Sequence, residues 1–159
     1  AIGILIAIYI FSKKEKRGYL WTMDRVVIVT ALAGVAIRMG NLMNSEIYGF
    51  VTDLPWGFIF VRDGQVDPRH PTQIYEALSY LAIFIFLIKY YYKKDGKTAD
   101  GYLLGMFMIL VFGMRFFIEF LKVNQVAFEE GMTLNMGQIL SIPLVVGGLY
   151  LVYNSRNKA

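Results

Sequence analysis

The 159-residue sequence contains no cysteine and a single histidine, His70. Without cysteine the chain can form no disulfide, no thiolate metal site and no cysteine nucleophile of its own. One histidine and no thiol are too few ligands for an ordinary zinc site. Charge is also scarce: 18% of residues are charged against 57% hydrophobic and 16% aromatic, and the mean hydropathy is +0.50. Soluble domains carry roughly a quarter charged and 45 to 50% apolar residues, so this composition is that of a membrane protein. The phosphate-binding glycine loop of nucleotide enzymes is missing as well.

What charge there is follows a pattern. The sequence predicts an all-α, polytopic transmembrane helix bundle with an irregular segment at about 44–72, forming one transmembrane domain over 1–159. Ala1 to Phe11 is apolar but too short to span, and it lacks the basic leading region of a signal peptide, so it reads as the second half of a span. Further spans are expected at 26–43, 73–92, 102–121 and 136–153. The first of these includes Gly34 and Gly40, small enough for a neighbouring helix to approach. Between them lie loops at 12–25, 93–101 and 122–135, the last with Glu129 and Glu130. The irregular segment holds Pro55, Pro68 and Pro71, and its Trp56, Phe58 and Phe60 alternate as in a short strand or an interfacial loop.

If alternate connections are cytoplasmic, eleven of the sixteen basic residues fall on that side, together with the C-terminus. The net charge of +4 is then a matter of topology, not a sign of nucleic-acid binding. Five cations are left over: Arg38, Arg62, Arg69, Arg115 and Lys122. A charged side chain near the bilayer centre costs ~2.5 to 3.5 kcal/mol on insertion scales, so Arg38 and Arg115 call for a partner. On a helix Arg38, Asn41 and Ser45 share one face, which is expected to point at an anionic group within the membrane. Two arginines at one depth suit the forked geometry of a phosphate. The plainer alternative is that they pair with Glu46, Glu76 or Glu119, Arg115 and Glu119 standing at i, i+4. The glutamates are open to three roles: bases, arginine partners or acceptors for hydroxyls. His70 reads as a capping or packing residue, and the Met and Phe stripe from Met106 to Phe120 as lipid-facing or packing surface.

The run Arg38-Met39-Gly40-Asn41-Leu42-Met43-Asn44-Ser45-Glu46-Ile47-Tyr48-Gly49 resembles the signature of the bacterial prolipoprotein diacylglyceryl transferases. Three further blocks follow in that family's order: Arg69 to Glu76, Gly113 to Phe120, and Met136 to Pro143. The resemblance implies a multi-pass enzyme of the bacterial cytoplasmic (inner) membrane that moves the diacylglyceryl group of phosphatidylglycerol onto the lipobox cysteine of a prolipoprotein. Its partners would be that lipid, the lipobox peptide and the bilayer, with no nucleic acid, no cofactor and no metal. Arg38, Arg115 and Glu46 would be catalytic, and Arg38, Asn41, Gly49, Glu76, Arg115 and Glu119 would bind the headgroup. The chain looks like the C-terminal part of such an enzyme; a His-Gly-Gly segment proposed to supply the base would precede Ala1, so the 159 residues alone are expected to be inactive or very weakly active. Lys122 departs from the family, many members of which have arginine there. Two rival readings are a transporter or flippase subunit for an anionic solute or lipid, and a scaffold whose ion pairs set helix register.

Overall fold

A computed structural model describes residues 2–123 and 134–157. Five helices follow one another: α1 (Ile2–Lys14), α2 (Tyr19–Met43), α3 (Thr72–Lys93), α4 (Tyr102–Ile118) and α5 (Met136–Arg156). Short 3-10 turns occupy Val61–Asp63 and Glu119–Leu121. Four stretches, Tyr19–Met43, Thr72–Lys93, Tyr102–Leu121 and Met136–Arg156, are long and apolar enough to cross a membrane. Among the described residues there is no strand, and the alternating aromatics do not form one: Phe58 makes a single bridge to Arg69. Glu129 and Glu130 lie outside the described residues.

One boundary differs from expectation. The stretch 12–25 is not a loop, since α1 runs to Lys14 and α2 starts at Tyr19. Lys13, Lys14, Lys16 and Arg17 are exposed as a loop's would be, but Asp24 and Arg25 beyond them are engaged by contacts inside the bundle. Asp24, fully buried, accepts from the backbone N–H groups of Gly101 and Leu104 at 2.8 Å each, satisfying two donors at the start of α4 that no helical carbonyl can reach. Arg25 lies over the Trp21 ring and donates to the carbonyls of Trp21 and Gly96. Asp24→Ala leaves both N–H groups buried and unpaired, and is expected to cost about 2 kcal/mol, read as a lower unfolding temperature in detergent.

The outside of the bundle is apolar, as lipid solvation requires, and its inside combines an apolar cluster that includes Ile28, Ile83, Leu87 and Leu103 with buried polar side chains. Ser12, Thr22, Gln73, Glu76, Gln138 and Ser141 are buried, whereas Val29, Ile37, Leu78, Phe117 and Leu140 are exposed. Helices α4 and α5 meet backbone to backbone: a Cβ on Gly105 would lie 2.8 Å from the carbonyl oxygen of Gly148, and the reverse holds at the same distance. Gly105→Leu is therefore expected to push these helices apart at a cost of about 1 to 3 kcal/mol, visible in the same unfolding measurement. Gly34 does admit a close neighbour, the Tyr80 ring of α3, but Gly40 does not: a Cβ there would meet open space.

Candidate active site at one end of the bundle

The two ends of the bundle differ in chemistry. One gathers the end of α1, the start of α2, the end of α3 and the start of α4, with their lysines and arginines. The other gathers the end of α2, the start of α3, the end of α4 and the start of α5, and there the ionisable residues of the interior meet.

Glu76 is their centre. It stands one turn inside α3 and is fully buried, with Arg38 Nε of α2 at 3.0 Å from one carboxylate oxygen and Lys122 Nζ at 3.1 Å from the other. Lys122, itself 3% exposed, reaches Glu119 Oε2 at 3.1 Å with a second N–H. Arg115 Nε stands 3.9 Å from that same oxygen. The result is a row of alternating charge, Arg38, Glu76, Lys122, Glu119, Arg115, drawn from α2, α3, α4 and the 3-10 turn, with its cap, that follows α4. Three cations against two carboxylates leave one positive charge. Such a row must be complete to be tolerated, because removing one member strands another in a poorly solvated interior.

The row is propped from outside. Glu119 packs against Gly137, whose Cβ position lies 2.6 Å from the Glu119 carboxyl carbon, so a side chain there would displace the carboxylate. This sets the carboxylate beside the N-terminal turn of α5, where the helix dipole favours negative charge. That turn is fixed by a capping box in which Asn135 accepts from Gln138 N and the Gln138 side chain accepts from Asn135 N.

The segment 46–50 stitches the two halves of this end together. Gln73 Nε2 donates to the Glu46 carbonyl at 2.6 Å, Thr72 Oγ1 to the Ile47 carbonyl at 2.9 Å, and the Phe50 N–H to the Leu121 carbonyl at 2.9 Å. To make the crossing, Ser45 and Ile47 adopt left-handed backbone at φ 58 and 60, costly for a β-branched residue. Ser45 is consequently off the helix, which ends at Met43, and does not share a face with Arg38 and Asn41. Arg38 and Asn41 do meet, Nη1 donating to Oδ1 at 3.2 Å. Asn41 Nδ2 in turn donates to Glu46 Oε2 at 3.1 Å. Gly49 serves the packing: a Cβ would collide with the Leu121 carbonyl oxygen and lie 2.6 Å from His70 Cβ.

The five cations that topology left over thus separate into two groups. Arg62 donates to the Met43 carbonyl at the end of α2, and Arg69 donates to Gln65 and lies over the Tyr48 ring. Both organise the irregular segment, where Tyr48 also donates to Asp63, a bond that pushes its phenol above the ordinary value of 10. Arg38, Arg115 and Lys122 belong to the interior row. His70 uses its backbone to pair with Gly49 and Phe50 and its ring to meet the Tyr75 hydroxyl at 3.3 Å.

The pairing of Arg115 with Glu119 is incomplete. Glu119 Oε2 is held closer by Lys122, and Arg115 Nε is buried with no hydrogen-bond acceptor among the described residues. The guanidinium is about one-third exposed. Tyr80, one turn along α3 from Glu76, is buried against Gly34 of α2, and the two arginines stand at opposite ends of the row, joined through Glu76, Lys122 and Glu119. Tyr80, Lys122, Gln73 and Gly137 were not among the expected site residues. Lys122 was signalled by its unexplained charge; the rest have no signal apart from their neighbours in space.

A sequence profile described as prolipoprotein diacylglyceryl transferase matches residues 1–154. The chain belongs to that family. It is 46% identical over 152 residues to the phosphatidylglycerol–prolipoprotein diacylglyceryl transferase of Tolumonas auensis, covering 95% of this chain and 58% of that protein. It is 42% identical to the Bacteroides fragilis protein of the same name over 96% of the chain and 54% of the relative, and 42% identical to that of Chloroherpeton thalassium over 99% and 59%. The chain spans a little over half the length of these curated relatives.

Proposed function

We propose that this chain supplies the phosphate-gripping part of an enzyme that transfers the diacylglyceryl group of phosphatidylglycerol to the lipobox cysteine thiol of a prolipoprotein, in the inner membrane of a bacterium. The reading is supported by the names of the relatives and rests on one observation above all: Arg115 has a buried donor unspent in the same charge row that begins at Arg38. In the reaction the thiol sulfur attacks the terminal glyceryl carbon of the diacylglyceryl group. A carbon–sulfur bond forms, the carbon–oxygen bond to phosphate breaks, the thiol proton passes to a base, and glycerol 1-phosphate leaves with the bond electrons. The enzyme's task is to hold the phosphate and take up the charge that develops on it. Donors fixed in a site shielded from water do this without reorganising.

Arg38 and Arg115 are the donors in this reading, with Asn41, Gly49, Glu76 and Glu119 shaping the headgroup site. Glu76 and Glu119 are neutralised by cations already present, so they position the arginines. Glu46 is different: among the described residues no cation stands within ion-pair distance of it, and its carboxylate is exposed, held only through Asn41. It is the carboxylate free to take a proton or a glycerol hydroxyl. The basic end of the bundle is the cytoplasmic one by the orientation rule, with the C-terminus on that side and the charge row toward the opposite leaflet.

The test is binding of the lipid by the chain itself, measured by native mass spectrometry in detergent with phosphatidylglycerol and phosphatidylcholine in competition. Preferential retention of phosphatidylglycerol that falls about tenfold in Arg115→Ala is the expected result. Equal retention of both lipids, unchanged by that substitution, would remove the support.

A further inference from the structure

The opposite end of the bundle carries a second constellation that the reaction does not use. Helices α1 and α2 border a groove of about 570 Å³ there, lined by Phe11, Trp21, Arg25, Val26, Val29 and Ala33 among others. A volume of this size falls in the usual range for a small-molecule site, and its walls below Arg25 are almost wholly apolar. At its mouth Trp21 lies between two guanidinium groups, Arg25 at 3.6 Å and Arg17 at 4.9 Å from the ring. Lys13 and Lys14 close α1 and Lys16 follows them, with Glu15 between and the Asp100 carboxylate facing Gly18 from just ahead of α4.

Position along the helix fixes the depth. Trp21 and Arg38 are seventeen residues apart on α2, about 26 Å at 1.5 Å per residue, close to the thickness of the hydrocarbon layer. The groove therefore opens at the membrane interface furthest from the charge row, and it descends along Val26, Val29 and Ala33 into the hydrocarbon. An apolar slot running inward from a cluster of cations at headgroup level is complementary to one class of molecule, a phospholipid with a net negative headgroup. Arg25 has spent two of its five N–H groups on the carbonyls of Trp21 and Gly96, and the exposed Arg17 is free to turn to a phosphate.

We propose that this groove is a second lipid site, which holds an anionic phospholipid of the leaflet at the basic end, one acyl chain along α2 and its phosphate beside the Trp21 ring within reach of Arg17 and Arg25. The site is separate from the proposed reaction and does not depend on it.

Trp21 makes the site observable. In a Trp56→Phe variant it is the sole tryptophan, and its fluorescence is quenched by bromine on the acyl chains of a lipid seated in the groove. The variant is reconstituted in phosphatidylcholine vesicles, and brominated phosphatidylglycerol or brominated phosphatidylcholine is added at matched mole fractions. Half-quenching is expected at a mole fraction of the anionic lipid at least threefold lower than of the zwitterionic one. Arg17→Gln, an exposed position whose change leaves the packing intact, is expected to abolish most of that preference, and so is 0.5 M salt, which shortens the reach of charge to about 4 Å. Equal quenching by the two lipids means an ordinary annular lipid and overturns the proposal. So does a preference that survives Arg17→Gln. No quenching by either lipid, the result if another polypeptide segment covers the groove, overturns it equally.

Discussion

Lys122→Met is expected to cost about 3 to 5 kcal/mol of stability, the largest effect of any single substitution in the bundle. The ammonium is 2% exposed and stands 3.1 Å from carboxylate oxygens of both Glu76 and Glu119. Removing it leaves two carboxylates facing one another without the cation that bridges them, Glu76 held by Arg38 at 3.0 Å and Glu119 only by Arg115 at 3.9 Å. Methionine fills the same volume, so the loss measures the charge and not a cavity. Thermal unfolding in detergent is the measurement, and two companions separate the causes. Lys122→Arg keeps the charge and is expected to stay within about 1 kcal/mol of the parent. Lys122→Met combined with Glu119→Gln removes one of the stranded charges and is expected to regain part of the loss, as groups within one network couple. A Lys122→Met protein as stable as the parent would mean that the row does not hold this end together.

That row also marks the limit of what could be read from the sequence. The spans were legible because apolar runs of about twenty residues match the thickness of a bilayer, and the irregular segment because Pro55, Pro68 and Pro71 interrupt them. The start of α2 was not legible. Asp24 and Arg25 have the composition of a loop, and only their partners, Gly96 and Gly101 on the α3–α4 connection and Leu104 in the first turn of α4, make them interior residues. The same holds for the site. Unexplained charge singled out Arg38, Arg115 and Lys122, yet it equally singled out Arg62 and Arg69, which bind loop carbonyl and amide groups instead. Pairing by helical spacing favoured Arg115 with Glu119, and the structure makes that the longest contact of the row because a lysine three residues further on reaches the carboxylate first. The glycine that seats Glu119 is eighteen positions away, at the start of the next helix, and no local pattern announces it.

Arg38→Lys is expected to lower the turnover of diacylglyceryl transfer about a hundredfold in the complete enzyme, assayed with a lipobox peptide in phosphatidylglycerol vesicles. The substitution tests geometry apart from charge. An ammonium at this position can still neutralise Glu76, so the row survives and the unfolding temperature is expected to move little. What is lost is the fork: Arg38 uses Nε toward Glu76 and Nη1 toward Asn41, and the rest of the guanidinium plane remains to meet a phosphate in parallel bonds, which one ammonium cannot reproduce. Arg115→Lys is expected to behave alike, with a smaller effect on stability still, because its contact with Glu119 is already long. The fall is expected to persist at saturating phosphatidylglycerol, since donors that act on developing charge lower turnover and not only affinity. If Arg38→Lys keeps nearly full turnover while Arg38→Ala unfolds, the arginine is a counterion to Glu76 and nothing more, and the row belongs to a scaffold. If instead turnover collapses while the fold persists, the guanidinium plane itself acts on the substrate, which a purely structural role for the ion pairs has no means to produce.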